Sequence, residues 1–298
     1  MGKSVFEIVT DRILERLEQG TVPWHKPWTT AGGASRNLIS GREYRGVNLF
    51  LLASEGFTSP YWVTFKQAKQ LGGTVRKGER STPCIFWKFL ARDIESPVTG
   101  ETKTKQIPLL RYYSVFSVEQ CDGISHARLE VEREEPEPFS PIEAAEAIVS
   151  DYPEPPTIAH DGRGSAYYRP ATDSIHMPKQ ETFDSEEHYY ATLFHEMGHS
   201  TGSESRLARP GVTNPIRYGS HRYSQEELCA EMSSAFLLAE AGIDSGSLMN
   251  NSASYVASWV KALRDDKKLV VLAAAQAQRA ADHILDRSFE AKLEAQAA

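Results

Sequence analysis

His195, Glu196 and His199, in the run His-Glu-Met-Gly-His, carry the clearest chemistry in the 298-residue chain. Histidines at i and i+4 share one helical face, so both imidazoles can reach a single metal ion. The glutamate between them faces the water that such an ion activates. The chemistry is metal-assisted hydrolysis with Glu196 as general base. The flanking residues predict the helix that would hold the three in register. Ser185 stands as N-cap before Glu186 and Glu187, and Tyr190, Leu193, Phe194 and Met197 form an apolar face. Gly202 follows as the expected C-cap.

A catalytic zinc takes three protein ligands and keeps a fourth position open, so the third must come from another element. The segment 224–240, SQEELCAEMSSAFLLAE, predicts a second helix with three acids, Glu226, Glu227 and Glu231. Glu227 and Glu231 share a face beside Leu228, Ala235, Phe236 and Leu238, whereas Glu226 is rotated toward solvent. An unpaired charge beside an apolar face is costly. One shared carboxylate as metal ligand, and the other holding a ligand histidine by its second nitrogen, would satisfy both. The oxyanion that forms during hydrolysis needs a donor, and Tyr218, Tyr223 and His221, just upstream, are the candidates. Zinc suits this donor set, with Mn2+ or Co2+ as other divalent transition metals. Magnesium nucleases prefer carboxylate-rich sites to paired histidines.

The elements that must position these groups occupy the second half of an α+β chain. Residues 3–19 place Phe6, Val9, Ile13 and Leu17 at helical spacing, with Gly20 as a stop. VNLFLLASEG and FKQAKQLG predict short helices, and residues 84–118 a β-hairpin with a long polar tip. Residues 126–141 are acidic and proline-interrupted and predict a linker. A helix then restarts behind Ser140 as N-cap, GSAYYRPATDSIHMP predicts two short strands, and helices follow at about 185–202, 224–241 and 252–287. The last of these has a break near DKK. Domain bounds on this reading are 1–125, the linker 126–141, and 142–298.

Charge and aromatic content separate the halves. Residues 1–124 hold 17 Lys and Arg against 12 Asp and Glu, and the remainder 16 against 28. Four of the five tryptophans (Trp24, Trp28, Trp62 and Trp87) lie in the basic half. Basic residues interleaved with aromatics are what a single-stranded DNA binder presents. The candidates are Trp24, Lys26, Trp28, Arg36, Arg42, Tyr44, Arg45, Lys66, Lys77 and Lys88, and Trp24 and Trp28, on a proline-held segment beside Lys26, are the pair expected to be exposed. No run of about 18 apolar residues predicts a membrane span, and the N-terminus has no apolar core of a secretory signal. Cys84, Cys121 and Cys229 form no CxxC pair or disulfide framework, which fits a reducing cytoplasm.

The helix-borne HEMGH followed by Glu-Leu-Cys-Ala-Glu resembles the gluzincin arrangement. There the first acid of ExxxD is the metal ligand, and the acid four residues later orients a ligand histidine. The resemblance implies Glu227 as ligand and Glu231 in the second role, with glutamate where aspartate is usual. The whole chain, through VPWHKPW, SGREYRGVNLFLL, YWVTFKQAKQLGGTVRKGE, LFHEMGHSTG, EELCAEMSSAFL and SYVASWVKALRDDKK, resembles the ArdC family of plasmid antirestriction proteins. That resemblance implies an N-terminal single-stranded DNA-binding domain shared with TraC-type plasmid primases. It also implies a zincin-like metallopeptidase domain, an unidentified protein substrate, and protection of incoming conjugative DNA from host restriction. The competing reading is a non-catalytic shield on single-stranded DNA whose metal is structural; Glu196 argues against it, because a structural site needs no base.

Overall fold

The computed structural model describes residues 2–25, 34–95, 102–130, 141–160, 164–214, 221–244, 248 and 253–287. Helix α1 (Val5–Glu18) opens with a reciprocal cap in which Ser4 accepts from the Glu7 amide and Glu7 accepts from that of Ser4. It buries Val9, Ile13, Leu14 and Leu17. After β1 (Arg36–Asn37) come α2 (Val47–Ala53), β2 (Tyr61–Val63) and α3 (Phe65–Gln70). Helix α3 starts on a Thr64–Gln67 capping box and stops before Gly72, whose φ of +78° suits glycine. The strands β3 (Thr74–Val75), β4 (Thr82–Glu95), β5 (Thr102–Ser117) and β6 (Cys121–Asp122) complete this half. The main sheet runs β1-β2-β5-β4, with the hairpin paired from Thr82 with Val115 to Glu95 with Thr102, as the sequence predicts. Asn48 seals the outer edge of β4 by bonding both backbone groups of Ile85, at 2.8 and 2.9 Å.

Helix α4 (Ala127–Glu130) lies where the linker was expected to begin, and Arg128 ties it back to the carbonyls of Leu38 and Ile39 at 2.5 and 2.7 Å. The rest of that segment, with Ser140, falls outside the described residues. Beyond it stand α5 (Pro141–Ser150), β7 (Thr157–His160), β8 (Tyr167–Arg169) and β9 (Ser174–Met177). These strands form a sheet of order β7-β9-β8 with β8 at its edge. Next are α6 (Glu186–Ser200), α7 (Pro210–Thr213), α8 (His221–Glu240), α9 (Ala253–Asp265) and α10 (Leu269–Ile284). Helix α8 starts three residues before the expected position, and the predicted break near DKK separates α9 from α10.

The two halves are not beads on a linker. Val9, Ile13 and Leu17 of α1 and Phe50 and Leu51 of α2 belong to one buried cluster with Phe236 of α8, Leu263 of α9 and Val270 of α10. Phe50 stacks on Phe236 with ring centroids 4.9 Å apart. Polar ties reinforce the seam: Thr10 Oγ1 donates to Lys267 O at 2.7 Å, and Arg45 pairs with Asp282. A linker composition says nothing about whether the flanking segments pack, and here the apolar faces of α1 and α2 are covered by the C-terminal helices.

Candidate metal centre

Helix α6 begins at Ser185, whose Oγ accepts from the His188 amide, and it carries His195 and His199 one turn apart. Their Nε2 atoms lie 3.2 Å apart. From α8, Glu227 brings Oε2 to 3.7 Å from His195 Nε2 and Oε1 to 3.6 Å from His199 Nε2. Ligands about 2.0–2.1 Å from a tetrahedral ion are roughly 3.3–3.4 Å from one another, so the triangle fits a single divalent metal with slight closure. Among the described residues, these three form the one cluster of metal-ligand type. Burial, with His199 beside it, pushes His195 down to about 3, so its lone pair is available at neutral pH.

Glycine lets α6 and α8 approach closely. A Cβ on Gly198 would sit 3.1 Å from Ser233 Cβ and 3.2 Å from Ala230 Cα and O, so α6 and α8 meet backbone to backbone there. Gly202 has a related role, which differs from the αL cap expected for it. Its φ is not positive, and a Cβ would lie 2.4 Å from Val212 Cγ2 on α7.

Glu196 is buried beside the triangle, where desolvation raises its carboxyl above the usual range and the Tyr168 amide bonds it. It lines a cleft of about 390 Å³ together with His195, His199, Glu227, Tyr223, Tyr167 and Tyr168. The Tyr223 hydroxyl bonds Glu227, whose own carboxyl is raised by burial. Of the other expected oxyanion donors, His221 instead sits 2.8 Å from Asp266 Oδ2, and Tyr218 lies outside the described residues.

The chain can be compared with known proteins over both halves. Residues 3–116 match the model for the N-terminal domain of anti-restriction factor ArdC, and residues 143–276 the model for a zincin-like metallopeptidase. The crystal structure of the antirestriction protein ArdC from plasmid R388, metal-free, superposes with a TM-score of 0.72 at 36% identity, over 96% of this chain and 100% of that one. The chain belongs to the ArdC family of antirestriction proteins. The Mn(II)-bound structure of the R388 protein gives a TM-score of 0.71 over 95% of this chain and 98% of that one. An uncharacterized protein of Sinorhizobium fredii, y4eC, is 35% identical over 93% of this chain and 90% of its own length. DNA primase TraC of Escherichia coli is 38% identical over 97% of this chain, which spans only 28% of the primase. A second Escherichia coli TraC is spanned to 20%.

Two acids of this ArdC-family site depart from the expected roles. Glu226, expected toward solvent, is buried, and its Oε1 lies 3.2 Å from His199 Nδ1. The carboxylate behind the ligand histidine is therefore Glu226, not Glu231. Glu231 Oε2 instead accepts from Trp24 Nε1 at 3.0 Å and from the Tyr255 hydroxyl. The contacts between elements decide this: Glu226 meets His199 of α6, and Glu231, one turn on, meets Tyr255 of α9. Burial works against the charge on Glu226, but His199 and Arg209 outweigh it and hold its carboxyl low. Burial likewise opposes charge on His199, and Glu226 beside it raises that imidazole overall. Arg209 was not anticipated; the signal for it is its position before Pro210-Gly211, between two glycines whose Cβ atoms would clash.

The DNA-binding candidates also divide. Trp24 is fully buried against Trp259, ring centroids 6.1 Å apart, and Tyr44 is buried with Trp62, so neither is a stacking surface. A proline-held tryptophan is as well suited to plugging a seam between halves as to meeting solvent. Arg45 is engaged by Asp282 and Arg36 by Glu43 at 3.3 Å. Arg42, Lys66, Lys77 and Lys88 are exposed, and Lys26 and Trp28 lie outside the described residues. Among the described aromatics, Phe65, Trp87 and Tyr112 are the exposed ones. No helix among the described residues is long and apolar enough to cross a membrane.

Proposed function

We propose that the protein hydrolyses peptide bonds at a divalent metal held by His195, His199 and Glu227, and binds single-stranded DNA through its N-terminal half. The two together would protect incoming plasmid DNA from restriction. The observation that carries the hydrolytic reading is the meeting of three ligand atoms with a buried carboxylate, Glu196, in one open cleft. A bound zinc, or Mn2+ or Co2+, would supply Lewis acidity and lower the pKa of water to about 7. Glu196, with its proton affinity raised by burial, takes the proton of the attacking water and passes it to the leaving amine. Tyr223 lines the same cleft and is the described residue best placed to donate to the oxyanion. β8, at the edge of its sheet, contributes Tyr167 and Tyr168 to the cleft, a position from which it can flank an extended peptide.

The DNA reading is supported by the match of residues 3–116 and by the surface that is left exposed. Lys69 lies over the Phe65 ring at 5.1 Å, beside exposed Lys66, and Phe116 is 6.5 Å from the same ring. Phe116 and Tyr112 share a face of β5, and Trp87 pairs with Leu110 on that same face. Stacking platforms flanked by lysines bind single strands without sequence preference.

The test compares wild type with Glu196→Gln in metal content and in casein hydrolysis, with and without single-stranded DNA. The variant should keep its metal and lose hydrolysis by orders of magnitude. Equal hydrolysis by both proteins sinks the peptidase reading. Equal affinity for duplex and single strands, or a response to salt that is flat, sinks the DNA reading.

A further inference from the structure

Arg209 is buried beside the two helices that carry the candidate ligands, and its guanidinium bonds Glu226 of α8 and the C-terminal end of α6. Its Nε donates to Glu226 Oε2 at 3.0 Å and its Nη2 to Glu226 Oε1 at 2.6 Å, a two-point grip on one carboxylate. Nη2 also donates to the Gly198 carbonyl at 2.7 Å, and Nη1 to Thr201 Oγ1 at 2.5 Å. Those last groups belong to the final turn of α6, where carbonyls lack helical partners and a cation is favoured. One side chain thus links the end of the histidine helix to the acid next to Glu227. Space is cleared for the link on both sides. A Cβ on Gly211 would lie 2.7 Å from Glu226 Oε2, and one on Gly202 would lie 3.0 Å from Arg209 Nη2.

We propose that Arg209 is a positioning residue for the metal site and acts through Glu226. Resting on the metal-site reading above, the proposal assigns Arg209 two tasks. It fixes the plane of the Glu226 carboxylate, so that Oε1 accepts from His199 Nδ1–H and the bare Nε2 faces Glu227, where those residues would hold a metal ion. It also neutralises a buried charge that would otherwise stand alone beside the ligands. A guanidinium is required, because a lysine ammonium cannot grip both carboxylate oxygens and reach the α6 carbonyl from one fixed fork.

The test is a cycle of Arg209→Met, Glu226→Gln and the double variant, each titrated as full-length metal-free protein with zinc against a chromophoric chelator. Arg209→Met should weaken zinc binding about 10–100-fold, the usual effect of losing a group that orients a ligand. Glu226→Gln should weaken it too, because it strands the buried guanidinium. The double variant, an uncharged pair whose amide oxygen can still accept from His199, should bind zinc more tightly than either single. An arginine that serves only packing would instead lower the melting temperature without this coupling. The tautomer of His199 supplies a readout without metal: at a pH high enough to leave the imidazole neutral, 15N spectra should show Nδ1–H alone in wild type and a mixture in Arg209→Met. Wild-type zinc affinity in Arg209→Met, a double variant no tighter than both singles, or an unchanged tautomer overturns the proposal. Failure of wild type and His195→Ala alike to bind zinc would refute the metal site itself, and the tautomer measurement would still decide the role of Arg209.

Discussion

Replacing Gly198 by alanine should damage the metal centre without touching a ligand. The added Cβ would stand 3.1 Å from Ser233 Cβ and 3.2 Å from two backbone atoms of Ala230. Non-bonded carbons rest at about 3.5–4.0 Å, so α6 and α8 must part by roughly half an ångström. No rotamer change relieves the clash, because two of the three atoms are main chain. Overpacking of this kind costs about 1–3 kcal/mol, and the better helix propensity of alanine offsets up to about 1 kcal/mol. The net loss of about 0–3 kcal/mol corresponds to a fall of up to about 12 °C, at roughly 2–4 °C per kcal/mol. The effect on metal is larger in proportion. Glu227 stands 3.6 and 3.7 Å from the histidine nitrogens, so binding needs a slight closure toward the roughly 3.4 Å that a tetrahedral ion spans, and parting the helices moves it the other way. Zinc affinity should fall at least tenfold, read by chelator competition alongside urea unfolding of the metal-free protein. A variant that is stabilised and binds zinc as wild type does would show that the helices are not held at contact, and would refute the reasoning.

Three further outcomes are expected. Glu227→Ala should abolish most zinc binding and Glu226→Ala should weaken it about 10–100-fold. Glu231→Ala should leave it near wild type while costing stability of about 1–3 kcal/mol, since Trp24 and Tyr255 lose a shared acceptor; chelator titration and denaturation separate the three. Trp24→Ala should destabilise by about 3–5 kcal/mol in urea unfolding and leave the affinity of the folded protein for single-stranded DNA unchanged. The melting-temperature increase that zinc produces should shrink as pH falls from 7.5 to 5. His199 and Glu227 bind protons more tightly in the folded metal-free protein than free side chains do, and a proton on either competes with zinc. His195, pushed down to about 3, takes no part in that window, so His195 should show no protonation by NMR above pH 5 in the metal-free protein.

Much of the frame was legible in the residues. The helix over residues 3–19, the helix of FKQAKQLG, the long hairpin and the short strands before α6 follow from local rules. The exposure expected of Trp24 did not survive contact with the structure. Trp24 reads as a loop aromatic, but its indole closes a seam whose other wall comes from α8 and α9, more than 200 positions on. Such burial depends on which apolar faces meet, and the sequence presents each face separately.

The same division runs through the metal site. Spacing alone puts His195 and His199 on one face of one helix, because 3.6 residues per turn leaves no other arrangement. It also makes Glu227 and Glu231 neighbours on theirs. Which acid of α8 reaches the ion, and which stands behind His199, depends on how α8 is rotated and crossed against α6. The contacts that join the two there, Gly198 against Ala230 and Ser233 and Arg209 on Glu226, do not lie within one helix. Local periodicity determined which candidate ligands share a helix; the approach of two helices decided the partner each of them meets.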